Sequence, residues 1–121
     1  MESPLATYLE YLDSGQLAYQ VDGAGRPVFF PRVVAPGTGD VDLSWRVSRG
    51  MGTVYATTVV YYKGESPLNV ALVDMDEGFR LMSRVEGVEA TDVKIGMRVS
   101  LRVLPADDVR PALPVFTPSR P

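Results

Sequence analysis

Hydrophobic and polar residues alternate along the second half of the chain, which is the pattern of β-strands with one buried face. Strand patterns of this kind cover residues 42–48, 53–62, 68–75, 79–85 and 97–104. Short turns separate them, and no helix long enough for a parallel crossover lies between them. Five strands at such short spacings predict a mainly β fold, a small antiparallel barrel or sandwich.

The N-terminal residues follow the period of a helix instead. Ser3 suits an N-cap, Pro4 the first helical position and Gly15 the residue that ends the helix. The apolar stripe of this helix consists of Leu5, Tyr8, Leu9 and Leu12. Packing on its own domain and docking on a partner both fit such a stripe.

Two segments lack this regularity. Residues 16–40 hold short strand candidates around Gly-rich turns. Residues 105–121 hold five of the ten prolines, so we expect an extended, polyproline-like tail without an inner strand. The predicted organisation is a helix over 1–15, a small module over 16–40, the β domain over 41–104 and the tail over 105–121. The tail's apolar residues are Leu113, Val115 and Phe116, which would be exposed unless they pack on a partner.

Composition restricts the chemistry of the chain. Its 121 residues, 45% hydrophobic and 22% charged, fit one soluble globular domain. It contains no cysteine and no histidine, which excludes disulfides, thiolate nucleophiles, imidazole bases and the metal ligands that zinc prefers. A non-catalytic protein is therefore favoured over a stand-alone enzyme.

Charge and hydropathy indicate which classes of partner and which cellular compartment to expect. The net charge of −3 opposes nucleic-acid binding, which usually requires a basic surface. No apolar run approaches the ~18 residues that span a bilayer. The acidic N-terminus lacks the basic region of a secretory signal. We expect a cytoplasmic protein with no membrane association.

Arginines oppose the apolar residues of the last two predicted strands. If those strands are neighbours, Arg80, Arg84, Arg98 and Arg102 converge on one outer face. Two interpretations remain open: a solvated face neutralised by nearby acidic residues such as Glu86, or an anion site, because arginine forks match phosphate geometry.

Several phrases of the sequence resemble the acyl-CoA-associated OB-fold family known as domain of unknown function 35. The resemblance implies a short N-terminal helix, a rubredoxin-like zinc ribbon and a five-stranded OB-fold barrel. It covers about four fifths of the chain in the order expected. The matching phrases are FFPR at 29–32, DLSW at 42–45, RGMGTVYATTVV at 49–60, PLNVALVDMDEGFRLMSRV at 67–85, IGMRVSLRV at 95–103 and LPVF at 113–116.

One departure from the family pattern concerns its zinc ribbon. The family's four cysteines correspond to Asp22, Gly25, Ala35 and Thr38 in this sequence. A structural zinc supplies roughly 10–16 kcal/mol of folding free energy in small modules. We therefore expect a metal-free remnant, with no zinc and no other cofactor. The remnant would have to pack on the barrel, on a second copy or on a partner.

Family members are small subunits beside thiolase-like or lipid-transfer-protein-like condensing or retro-aldol enzymes, or beside hydratases. The resemblance thus implies a non-catalytic accessory subunit in lipid metabolism that binds or positions acyl-CoA, in a hetero-complex or a homodimer. Candidate ligand- or partner-binding residues are Trp45, Arg49, Tyr55, Arg80, Arg84, Arg98 and Arg102. Candidate partner-docking residues are Leu5, Tyr8, Leu12, Leu113, Val115 and Phe116.

Two alternatives to the accessory subunit stay open. OB-fold barrels often bind single-stranded nucleic acid with stacking aromatics, here Tyr55, Tyr61 and Tyr62, although the acidic composition opposes this. A purely structural, self-associating protein would use its apolar ends as the interface.

Overall fold

The computed structural model describes residues 3–30 and 43–119. Its one α-helix in this range is α1, Pro4–Asp13, and a short 3₁₀ turn covers Ala90–Asp92. The strands are β1 Ala18–Val21, β2 Pro27–Val28, β3 Ser44–Val47, β4 Met51–Val60, β5 Leu68–Met75, β6 Arg80–Ser83, β7 Arg98–Leu104 and β8 Leu113–Pro118. They form a small sheet in the order β2-β1-β3 and a larger sheet in the order β6-β5-β4-β7-β8.

The larger sheet closes into a barrel. Its internal strand pairs are antiparallel, and its two outer strands meet through a parallel bridge between Val85 and Phe116. The amide of Phe116 donates to the carbonyl of Arg84 (3.0 Å), and the amide of Glu86 donates to the carbonyl of Phe116 (2.7 Å). A closed barrel of five strands is the architecture of the OB-fold. The predicted fold class, mainly β with a short N-terminal helix, is confirmed.

The fifth barrel strand, β8, lies where the sequence predicts a tail without an inner strand, so that prediction is wrong. Strand β8 accommodates its two prolines because of the direction in which its backbone amides point. The Phe116 amide points toward β6, and amides alternate along a strand. Pro114 and Pro118 therefore occupy positions facing away from β7, where a missing N–H removes no bond from the β7–β8 ladder.

The first predicted barrel strand, residues 42–48, belongs to the small sheet instead. Its ordered part, β3, pairs antiparallel with β1, with Trp45 opposite Gln20. Gly50, at φ +81°, turns the chain from β3 into the barrel. A Cβ at Gly50 would lie 3.0 Å from Leu101 Cβ, which also favours glycine at this close approach. The small module thus extends beyond residue 40 to include β3.

The small sheet and the barrel share one core. Phe79 stacks on Tyr19 (ring centroids 4.7 Å apart) and on Phe29 (5.0 Å), which joins the two sheets. Tyr8 and Leu12 of α1 are buried in the same cluster. Burial raises the pKa of Tyr8 to about 12. The remnant therefore packs on the barrel, the first of the three means of support considered for it.

Candidate functional site

An apolar groove of about 490 Å³ lies between α1, β6 and the approach to β8. We call it the α1 groove. Buried Tyr8, Leu12 and Leu81 form its base. Its exposed rim consists of Leu5, Phe30, Met82 and Leu113, with Met82 the most exposed at 71%. Arg80 adds a positive charge to the lining.

The α1 groove brings together the two ends of the chain that the sequence singled out for docking. Leu5, Tyr8, Leu12 and Leu113 all line it. Val115 and Phe116 do not, because β8 buries both, at 1% and 0% exposure, with Phe116 in the core cluster. Their burial is a correction, and it removes them from the docking candidates.

Sequence reasoning missed two residues of the rim, Phe30 and Met82. Met82 had a detectable signal: Leu81 and Met82 are adjacent apolar residues in a strand. Because neighbouring side chains point to opposite faces, one of the two had to face outward.

The strand order separates the four arginines predicted to share one face. Arg80 lies on β6, while Arg98 and Arg102 lie on β7, and β5 and β4 stand between those strands in the sheet. The pairing of β6 with β7 does not occur, so the four arginines do not share one face, although Arg84 and Arg102 both approach Glu86. Alternation within strands gives no information about which strands are neighbours.

Each of the four arginines instead has a carboxylate partner within 4 Å. The partners are Asp74 for Arg80, Glu86 for Arg84 and Arg102, and Asp76 for Arg98. The Arg80 guanidinium also lies 3.5 Å from the ring centre of Tyr55, which it covers. This arrangement fits the neutralised, solvated interpretation of the arginines.

A second, more polar cavity of about 500 Å³ lies where the small sheet meets the barrel, and we call it the junction cavity. Two exposed arginines line it, Arg46 on β3 and Arg49 in the following turn. Arg49 was a candidate from sequence, whereas Arg46 was missed. Trp45, another candidate from sequence, does not line the cavity; it is half-buried, with its ring centroid 5.8 Å from that of Tyr11.

The carboxylates of the junction cavity are held by nearby donors. Glu77 accepts hydrogen bonds from Ser48 Oγ (2.7 Å) and from the Arg49 amide (2.9 Å). Asp76 accepts two hydrogen bonds from the Arg98 guanidinium, from Nη1 to Oδ1 at 2.7 Å and from Nη2 to Oδ2 at 2.8 Å. These bonds hold the pKa of Asp76 below its usual value.

The turn between β1 and β2 contains the two described positions that correspond to zinc ligands, Asp22 and Gly25. Asp22 Oδ1 accepts the amides of Ala24 and Arg26, both at 2.9 Å, and Oδ2 accepts Arg26 Nε at 3.0 Å. The Gly25 amide donates to the Asp22 carbonyl at 2.9 Å, at φ +82°. The bond from the Arg26 amide is the main cause that lowers the pKa of Asp22.

These residues do not fit a zinc ion. Both Asp22 carboxylate oxygens are already engaged by the turn, and Gly25 has no donor side chain. Zinc sites normally use four nitrogen, sulfur or carboxylate ligands. Within the described ranges, no group of three or more acidic residues is placed to hold a metal. The other two positions, Ala35 and Thr38, lie outside the described residues.

Comparisons with known proteins agree with this architecture. Residues 45–104 match the family described as "ChsH2, C-terminal OB-fold domain". A solved structure described as "Ltp2-ChsH2(DUF35) aldolase" superposes with a TM-score of 0.84 and 31% identity, covering 98% of this chain and 96% of that chain. A probable enoyl-CoA hydratase alpha subunit from Thermomonospora curvata is 36% identical over 95 residues, 75% of this chain. The chain spans 30% of that relative's length.

The helix content carries one further finding. Among residues 3–30 and 43–119, no helix combines the length and the apolar character that a membrane span requires.

Proposed function

The chain belongs to the ChsH2-type OB-fold family, domain of unknown function 35, and from this membership we propose that it is a non-catalytic accessory subunit of an acyl-CoA-processing enzyme. The partner we expect is a thiolase-like or lipid-transfer-protein-like condensing or retro-aldol enzyme, or a hydratase. The accessory subunit would dock on this partner and help to bind or position its thioester substrate.

The α1 groove is the observation that carries the proposal. Single exposed apolar side chains are ordinary on a protein surface, but four of them around one groove are typical of an interaction site. Met and aromatic residues, such as Met82 and Phe30, are enriched at protein interfaces. The occupant we propose is the partner enzyme, because a solved relative that this chain resembles over nearly its full length is described as an "Ltp2-ChsH2(DUF35) aldolase", a title that names two components.

The residue types present in this chain indicate which subunit supplies the reacting groups. Acyl transfer and carbon–carbon bond cleavage on thioesters use a nucleophile or an acid–base group, most often cysteine or histidine. This sequence contains neither residue. The carboxylates of the junction cavity are also committed to hydrogen bonds with neighbouring donors. We therefore assign the reacting groups to the partner.

Affinity purification and a matched pair of variants test the proposal. The chain, tagged in its native host, should co-purify with a thiolase-like or hydratase-like enzyme in a stoichiometric complex. Met82→Asp places a charge on the rim of the α1 groove and should weaken association with that enzyme at least tenfold. Ile95→Asp is the control, because Ile95 is equally exposed at 71% and does not line the groove.

Titration calorimetry with the purified partner measures both variants. Equal affinity of Met82→Asp and the unmodified chain would refute docking through the groove. A chain that forms a stable dimer by itself, and loses it on Met82→Asp, would favour the self-associating alternative instead.

A further inference from the structure

Arg46 and Arg49 differ from the other described arginines in having no described carboxylate oxygen within 4 Å. Every other arginine of residues 3–30 and 43–119 has a described carboxylate oxygen within 4 Å. Arg46 and Arg49 have none, and both line the junction cavity. The two described guanidinium groups that form no ion pair therefore line the same space, where Arg49 acts on Asp76 through longer-range attraction alone.

The acidic residues of the junction cavity do not cancel this charge. Asp76 is paired with Arg98 through two hydrogen bonds. Glu77 is engaged by the Ser48 hydroxyl and the Arg49 amide. Counting Arg98, positive charges exceed negative charges by one at this place, in a chain whose net charge is −3. This excess of positive charge among the described residues attracts an anion to the junction cavity.

The backbone that carries both arginines is held in place. Arg46 lies in the β1–β3 ladder opposite Tyr19. The Arg49 amide is fixed by Glu77, and the next amide, of Gly50, donates to Ser48 Oγ at 3.0 Å. Because the backbone is already ordered, binding a ligand here costs only the ordering of the two side chains.

We propose that Arg46 and Arg49 form a phosphate-binding site in the junction cavity. Guanidinium groups bind phosphate oxygens in pairs, and this geometry distinguishes them from lysine. The cavity, at about 500 Å³, has room for a group larger than a single phosphate ion. The identity of the ligand rests on the proposed function: in an acyl-CoA-processing complex, the phosphates are those of the CoA moiety.

Binding of CoA to the purified chain, measured by titration calorimetry at low salt, tests this site. The double variant Arg46→Gln/Arg49→Gln should weaken CoA binding at least tenfold. Arg110→Gln is the charge-matched control, because Arg110 pairs with Asp107 outside the cavity and should change affinity less than twofold. Pantetheine, which lacks the phosphates, should not bind measurably.

Three results would overturn the site. The first is CoA binding by the double variant at the affinity of the unmodified chain. The second is pantetheine binding as tight as CoA, which would place recognition away from the phosphates. The third is an unmodified chain that binds no CoA. Single-stranded DNA bound more tightly than CoA, with the same arginine dependence, would overturn the assignment to CoA and favour the nucleic-acid alternative.

Docking through the α1 groove and phosphate binding in the junction cavity can be refuted independently of each other. The double variant should still associate with the partner enzyme, since neither arginine lines the α1 groove. Met82→Asp should still bind CoA, since Met82 does not line the junction cavity. A chain that binds its partner but not CoA therefore refutes the phosphate site alone. A chain that binds CoA but no enzyme refutes the proposed docking function alone.

Discussion

The barrel and the small sheet are stabilised in different ways. The barrel has long ladders, with β4 and β5 paired over most of their length, and it closes on itself through Val85 and Phe116. The small sheet has strands of only two to four residues. It depends on the ring contacts of Phe79 and on the Asp22 turn. The difference indicates that side-chain packing and the Asp22 carboxylate, rather than long ladders, stabilise the small sheet.

Removal of the Phe79 ring should have the largest effect on this comparison. Phe79 is 6% exposed and contacts both Tyr19 and Phe29 of the small sheet. Phe79→Ala should lower the free energy of unfolding by about 3–5 kcal/mol. Hydrogen exchange should accelerate more in β1 and β2 than in β4 and β5, because the small sheet loses its main support.

Phe30→Ala is the matched control for that measurement. Phe30 is the same residue type but is 47% exposed, so its loss should cost about 1 kcal/mol or less in urea unfolding. If Phe79→Ala accelerates exchange equally in both sheets, the two regions unfold as one unit, and the proposed difference between them is wrong.

The sequence predicted most individual strands well and their pairing poorly, for physical reasons. Strands β4 to β7 lie close to the predicted ranges, because a half-buried strand must alternate apolar and polar residues. The partner of β3 was not predictable from its own residues, since pairing is a long-range property. β8 was missed because proline was taken to exclude an inner strand, although a strand tolerates proline wherever the amide faces away from the ladder.

The candidate binding surfaces show the same contrast: single residues were predictable from their local pattern, and the contacts between distant segments were not. Leu5 and Leu113 were identified individually, from helical spacing and from exposed residues in a Pro-rich segment. That they line one groove depends on β8 entering the barrel. The ion pairs of Arg80, Arg84, Arg98 and Arg102, and the lack of a described carboxylate within 4 Å of Arg46 and Arg49, depend on how the strands pair, so sequence alone did not distinguish them.

Acidification should weaken the small sheet through Asp22. The pKa of Asp22 is lowered in the folded protein, so this residue's contribution to stability is present above its ordinary pKa, near 4, and is lost as the pH falls toward the folded-state value. Asp22→Asn removes the titrating group and should flatten the fall in melting temperature between pH 5 and about 3.

Asp107→Asn is the matched control for the acid experiment. Asp107 accepts the amides of Val109 and Arg110 in the same way, and its pKa is also lowered, first by the Val109 amide. Its side chain is 50% exposed, whereas that of Asp22 is 4% exposed. Solvent screens exposed charges, so we expect a smaller change at Asp107. An equal change in both variants would contradict a special role for Asp22.

The smallest expected effect is that of a chelator, and it tests most directly whether a carboxylate has replaced the metal. A structural zinc that binds the folded state stabilises it, so its removal lowers the melting temperature. The turn of Asp22 already satisfies its own amides and Arg26. We therefore expect EDTA to leave the melting temperature unchanged and elemental analysis to find no stoichiometric zinc. A fall of several degrees with EDTA, reversed by added zinc, would show that the small sheet still depends on a metal and that the Asp22 turn is only an accessory to it.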